Sequence, residues 1–233
     1  MRLWRLLFLV CLAVAGPAVA APHRIVADYE LFFNGAPVGE MREIFERNGN
    51  RYRIVSETRA TGVIALINKK PARAESSGEI TASGLKPERF EAARGKKGEK
   101  HESAKFDWSG HTLRLKHDGM TETLPLQRGT QDRLSAMYQF LFLNEASREN
   151  LDFPMTNGRK LDNYRYRPGT DTRLDTRLGA LTVQHLVKQF RSGEVATDIW
   201  LSTEYQGLPV RMRVVEPEGE RYEQRITGVS ITP

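Results

Sequence analysis

The chain has one cysteine, Cys11, and it lies in the apolar stretch at the extreme N-terminus. If that stretch is removed, no disulfide, thiolate nucleophile or cysteine metal site is left. Stability must then come from burial of apolar surface alone. Long apolar runs are missing as well: the longest, residues 6–15, is about ten residues, half of the roughly twenty that a spanning helix needs. There is no Gly-x-Ser-x-Gly elbow. There is no phosphate-cradling glycine loop and no His-Glu-x-x-His; His101-Glu102 starts that last motif but continues as Ser103-Ala104-Lys105. His101, His111, His117 and His185 are scattered over separate segments. The sequence therefore assigns no catalytic residue, no metal site and no cofactor. A Ser-His-Asp triad stays open, because its members can lie anywhere in a chain.

The N-terminus supplies an address. Arg2 and Arg5 precede the apolar run, Gly16-Pro17 break it, and Ala18-Val19-Ala20 offers the small residues a signal peptidase reads. Residues 1–20 read as a cleaved secretory signal, which predicts a periplasmic protein. Bulky Phe8-Leu9-Val10 before Cys11 argues against a lipoprotein signal. Residues 21–233 are long enough for one sizeable β-rich domain and contain no transmembrane segment. The net charge of +6 loses two units with Arg2 and Arg5. That modest excess suits a solvated basic surface or contact with anionic envelope material. Nucleic acid is not an expected partner of an exported chain.

One long stretch has a helical period. In residues 130–143, TQDRLSAMYQFLFL, the side chains Leu134, Met137, Tyr138, Leu141 and Phe142 fall on one face. Thr130 or Asp132 can cap its start, and Asn144 can stop it. Phe140 and Leu143 widen the apolar face, so the expectation is a nearly buried helix. Residues 62–68, GVIALIN, suit a second, short helix or a buried strand.

Nearly everything else alternates with a period of two. Ile25, Ala27, Tyr29, Leu31 and Phe33 alternate with polar residues, Asn34-Gly35 turns, and a second strand runs to Arg47 before Asn48-Gly49-Asn50. Further strands follow, separated by Gly84-Leu85-Lys86-Pro87, Ser109-Gly110, Asp118-Gly119, Pro168-Gly169, Gly179 and Glu216-Pro217-Glu218-Gly219. About a dozen strands with such regular turns predict a mainly β protein. Its expected form is a large curved antiparallel sheet, or unclosed β-barrel, wrapped around one buried α-helix. Residues 94–101, RGKKGEKH, make a basic loop that reads as a solvated hairpin tip.

Four residue groups occur in a recognisable order: Tyr29, Asn34-Gly35 and Val38-Gly39; Ser76-x-Gly78 and Gly84-Leu85-x-Pro87; Gln131-Asp132-x-Leu134-Ser135-x-x-Tyr138; and Leu208-Pro209-Val210-Arg211. Together with the leader they resemble the domain of unknown function 3108 family of Gram-negative secreted proteins, over residues 24–229. No activity comes with that resemblance, so it implies no catalytic residue. The expected architecture is also similar to that of periplasmic lipoprotein carriers and their outer-membrane receptors, which hold acyl chains inside an unclosed barrel. Those cover the mouth with several helices, whereas this sequence offers one clear helix.

The leading expectation is a non-enzymatic periplasmic protein that binds a lipid or acylated envelope component. Leu134, Met137, Tyr138, Leu141 and Phe142 would form the ligand wall, and Lys96, Lys97 and Arg128 a rim for an anionic head group. The alternatives are an envelope assembly factor with a filled core and a protein partner, and a hydrolase with a polar cleft.

Overall fold

Alternating side chains and tight turns build an antiparallel meander. The computed structural model describes residues 22–62, 65, 71–94, 100–143, 151–190 and 193–232. The first half comprises β1 (Arg24–Phe33), β2 (Ala36–Asn48), β3 (Arg51–Ala60), β4 (Ala72–Thr81), β5 (Gly84–Arg94), β6 (Lys100–Asp107), β7 (Thr112–His117) and β8 (Met120–Pro125). A crossing segment carries β9 (Gln131–Asp132) and a short helix, α1 (Ser135–Gln139). The second half runs through β10 (Leu151–Thr156), β11 (Leu161–Thr176), β12 (Gly179–Lys188), β13 (Ala196–Ser202), β14 (Leu208–Val215) and β15 (Arg221–Thr232).

Among the described residues all fifteen strands join one sheet, in the order β8 down to β1, then β15 down to β9. The halves meet where β1 pairs with β15. Every neighbouring pair is antiparallel except β9 with β10. Asn34 and Asp118 adopt positive φ ahead of Gly35 and Gly119, the conformation that two-residue hairpin turns require.

The edges β8 and β9 are consecutive in the chain, joined only by residues 126–130. At full extension that connection spans about 20 Å, so a sheet this wide has to curl. It does not close: β9 reaches β5, where Gln131 Nε2 donates to the Leu85 carbonyl at 2.9 Å. The β10–β11 loop arrives beside it, with Arg159 donating to Glu102 of β6 at 3.2 Å. The free edge β8 is short and polar apart from Met120 and Leu124, and it ends in Pro125, which limits pairing with other chains.

Two apolar clusters fill the curl. One gathers Ile25, Tyr29, Phe45, Ile54, Phe90, Phe106, Leu113, Leu115 and Val183. The other gathers Leu151, Phe153, Tyr166, Leu186, Ile199 and Leu201. The crossing segment supplies Leu126, Leu134 and Tyr138 to the first and Ala136 and Phe140 to the second.

Two expectations need correction. The long helix over residues 130–143 is a five-residue helix, α1. Ahead of it, Gln131 and Asp132 are drawn into parallel pairing with β10, and Arg133 N–H donates to Thr156 O. After it, Leu141 and Phe142 N–H bond three residues back, to Tyr138 and Gln139, the tighter 3₁₀ pattern. Tertiary pairing thus overrides the helical period ahead of α1 and a tighter local turn replaces it after, although the five apolar residues still gather on the first cluster. Pro168-Gly169 is not a turn either: β11 continues through it with a register shift against β12. The cap at Asn144, most of residues 62–68, and Lys96 and Lys97 lie outside the described residues.

Candidate functional site

Inward positions on the strands carry polar groups at two places. The first locks the crossing segment onto the sheet. Asp132 is fully buried. Its Oδ1 accepts from the N–H groups of Leu134 and Ser135, both at 2.9 Å, and its Oδ2 accepts from Ser76 Oγ at 2.6 Å. Ser135 Oγ accepts in return from Asp132 N–H, so the two residues cap the turn into α1 reciprocally. Thr130 instead donates to Gln127 O. Tyr52 extends the chain, its hydroxyl 3.2 Å from Ser76 Oγ. Burial pushes the Asp132 carboxyl above its ordinary range, against the pull of the Ser76 and Ser135 hydrogen bonds.

Gln131 and Gln139 fasten the same segment to β5, Gln139 Oε1 accepting from Leu85 N–H at 2.5 Å. Gly84 has φ +101, and a Cβ there would strike the Gln139 amide. Gly78 sits at a bulge against β5, where a Cβ would overlap the Lys86 carbonyl oxygen. Tyr29 donates to Pro209 O at 2.9 Å, tying β1 to β14. The second and third residue groups singled out in the sequence therefore meet at one anchor, and Tyr29 separately ties the first group to the fourth.

The second place is a cleft of about 850 Å³. Its walls come from β2, the crossing segment, β10, β11, β12, β13, β14 and β15. Met41, Met137, Met155 and Met212 line it from four different elements, beside Tyr164 and Tyr166. Of six methionines in the chain, these four share one cleft. Unbranched, polarisable thioethers give a wall that adapts to its contents. Glu43 on β2 is buried within the cleft lining, and burial raises its carboxyl above the usual range. Ser56, Arg133 and Tyr138 oppose that shift. The Tyr138 hydroxyl lies beside Glu43 but outside hydrogen-bonding geometry. Lys160, paired with Asp162 at 2.6 Å, Lys188, Glu194 and Glu216 are further charged groups of the lining.

Of the expected ligand wall, Leu134 and Met137 line this cleft. Tyr138 stacks on Phe45 with ring centroids 5.4 Å apart, and Phe142 tilts against the same ring at 5.8 Å. Leu141 packs on the first cluster. Arg128 is exposed and does not line the cleft. Among the described residues, the cationic groups there are Arg133, Lys160 and Lys188. Glu43 and Lys188 belong to no motif. The available signal was strand parity: Glu43 falls between inward Met41 and Phe45, and Lys188 two residues after inward Leu186.

Among the described residues, no three His, Cys, Asp or Glu side chains come together to hold a metal ion. No helix there is long and apolar enough to cross a membrane.

A family model described as "Protein of unknown function (DUF3108)" matches residues 28–226. No curated protein matches the sequence. A β-barrel-like protein of domain of unknown function DUF1849 from Brucella abortus is similar in structure, with TM-score 0.54 and 14% identity, over 91% of this chain and 98% of that one. The hypothetical protein CT021 from Chlamydia trachomatis aligns with TM-score 0.36 and 10% identity, over 89% and 90% of the two chains.

Proposed function

We propose that this chain, which belongs to the DUF3108 family of proteins of unknown function, is an exported binding protein that holds an amphipathic ligand in the methionine-lined cleft. The observation that carries the reading is the convergence of Met41, Met137, Met155 and Met212 with Tyr164, Tyr166 and charged side chains of both signs around about 850 Å³. That volume falls within the roughly 300–1,000 Å³ typical of small-molecule sites. Each ligand CH₂ buried there contributes about 0.8 kcal/mol, so a lipid chain or acylated envelope component binds without polar recognition along its length. The N-terminal leader pattern supports export to the periplasm. Ser76, Asp132 and Ser135 are engaged with one another and with backbone N–H groups, which favours a binding role over a catalytic one.

Met155→Trp tests the reading. Met155 is only partly buried on β10 and lines the cleft, so an indole there fills the space without rebuilding the core. Uptake of a neutral fluorescent amphiphile, N-phenylnaphthylamine, should fall at least tenfold while the urea midpoint changes little. Unchanged uptake by the folded variant would exclude this cleft.

A second reading, an envelope assembly factor, is favoured by one observation. The crossing segment and the two clusters occupy the inside of the curl, and Tyr138 and Phe142 are committed to Phe45. It predicts that a protein partner co-purifies with the chain and that Met155→Trp leaves that association intact.

A further inference from the structure

Lys188 stands apart from the other charged groups of the cleft. It occupies an inward position at the end of β12, opposite Tyr166 of β11. Only 8% of the residue is exposed. Its ammonium donates a hydrogen bond to Val195 O at 3.2 Å and lies 4.6 Å from the centre of the Tyr164 ring. An ammonium has three donors, and a buried charge normally has a partner of opposite sign. Among the described residues, no carboxylate stands within ion-pair distance of Lys188. Lys160, by contrast, is held by Asp162 at 2.6 Å. The same lining carries the carboxylates Glu43, Asp162, Glu194 and Glu216; Asp162 is the one that pairs with Lys160.

Resting on the cleft-binding reading, we propose that Lys188 receives the head group of the ligand, and that the ligand class is an amphiphile with an anionic carboxylate or phosphate head. A charged oxygen placed beside the ammonium gains a charge-assisted bond in a partly dry site, which is shorter and about twice as strong as a neutral one. The tail then runs along the methionine wall. The Tyr164 face above the ammonium keeps the cation in place by cation–π attraction when no ligand is bound.

The test is competition against N-phenylnaphthylamine with three probes that share one tail: palmitate, hexadecyl phosphate and hexadecanol. In the unmodified protein both anions should displace the dye at concentrations at least tenfold below hexadecanol. Whichever anion is tighter identifies the head-group chemistry. Lys188→Met keeps the apolar body of the side chain and removes the charge; it should abolish the anion preference and leave hexadecanol unchanged. Lys188→Arg should keep the preference. An equal loss for all three probes in Lys188→Met, with the fold intact, would overturn the assignment and make Lys188 a packing residue. A preference that survives Lys188→Met would overturn it too. If the dye and all three probes fail to bind the unmodified protein, the cleft reading itself falls, and the head-group assignment with it.

Discussion

Replacing Asp132 with alanine strips the acceptor from three donors at once: the N–H groups of Leu134 and Ser135 and the hydroxyl of Ser76. Ser76 can turn its proton toward Tyr52, whose hydroxyl is 3.2 Å away. The two backbone N–H groups have no such escape in a fully buried site. Each buried donor left unmade costs about 1–3 kcal/mol. Removing a desolvated carboxyl returns part of that, so the net loss should be about 3 kcal/mol. Asp132→Asn is the informative control. Its oxygen still caps Leu134 and Ser135, its amide donates to Ser76, and Ser76 then donates to Tyr52. The hydroxyl chain reverses direction at a cost of about 1 kcal/mol or less. Urea unfolding at pH 7, followed by the fluorescence of Trp108 and Trp200, separates the two variants. If the alanine variant stayed within about 1 kcal/mol of the unmodified protein, the crossing segment would not be held through Asp132. If asparagine cost as much as alanine, the charge and not the acceptor geometry would be the anchor.

Glu43 gives a pH signature. Burial raises its carboxyl in the folded state, so between the ordinary glutamate value and the raised one the folded form binds more protons than the unfolded form. Its contribution to stability therefore falls as pH rises through that window. Glu43→Gln removes the effect, and the variant should gain stability relative to the parent on going from pH 4 to pH 7; a gain that shrinks over that range would contradict the burial argument. Gly78→Ala should lower the thermal midpoint, because a Cβ there displaces β5, with a cost of about 1–3 kcal/mol. Phe140→Ala, at a fully buried side chain of the second cluster, should cost about 3–5 kcal/mol in urea; a loss under about 1 kcal/mol would mean that the segment does not seal that cluster.

The strands were legible because they obey local rules. Ile25, Ala27 and Tyr29 face in by simple alternation, and Asn34-Gly35 and Asp118-Gly119 take the positive φ that hairpins require. The expected dozen strands became fifteen largely through detail that alternation does not carry, such as the two-residue β9. The length of α1 was not legible. The period of Leu134, Met137, Tyr138, Leu141 and Phe142 records which residues are buried, and a 3₁₀ turn buries nearly the same set as an α-helix. Pairing of Gln131 and Asp132 with Met155 and Thr156, far along the chain, has no local signature. Pro168 misled for a related reason: a proline with its following glycine reads as a turn, yet β11 absorbs both in a bulge.

The candidate site was legible only in part. Leu134 and Met137 reach the cleft, but Met41, Met155 and Met212 join them from strands far apart in sequence. Glu43 and Lys188 are ordinary charged residues until the parity of β2 and β12 turns them inward. The anchor, in contrast, coincides with residue groups already notable in the sequence, because close backbone approach at Gly78 and buried hydrogen bonds at Asp132 permit few alternatives.

Native mass spectrometry of the protein purified from the periplasm of a secreting host, with organic extraction of bound material, tests the cleft most directly. A stoichiometric adduct that extracts as an acyl-bearing amphiphile, and that disappears in Met155→Trp, is the expected result. A clean apo mass, with no uptake of palmitate, hexadecyl phosphate or hexadecanol on mixing, would contradict the binding function and favour the assembly factor.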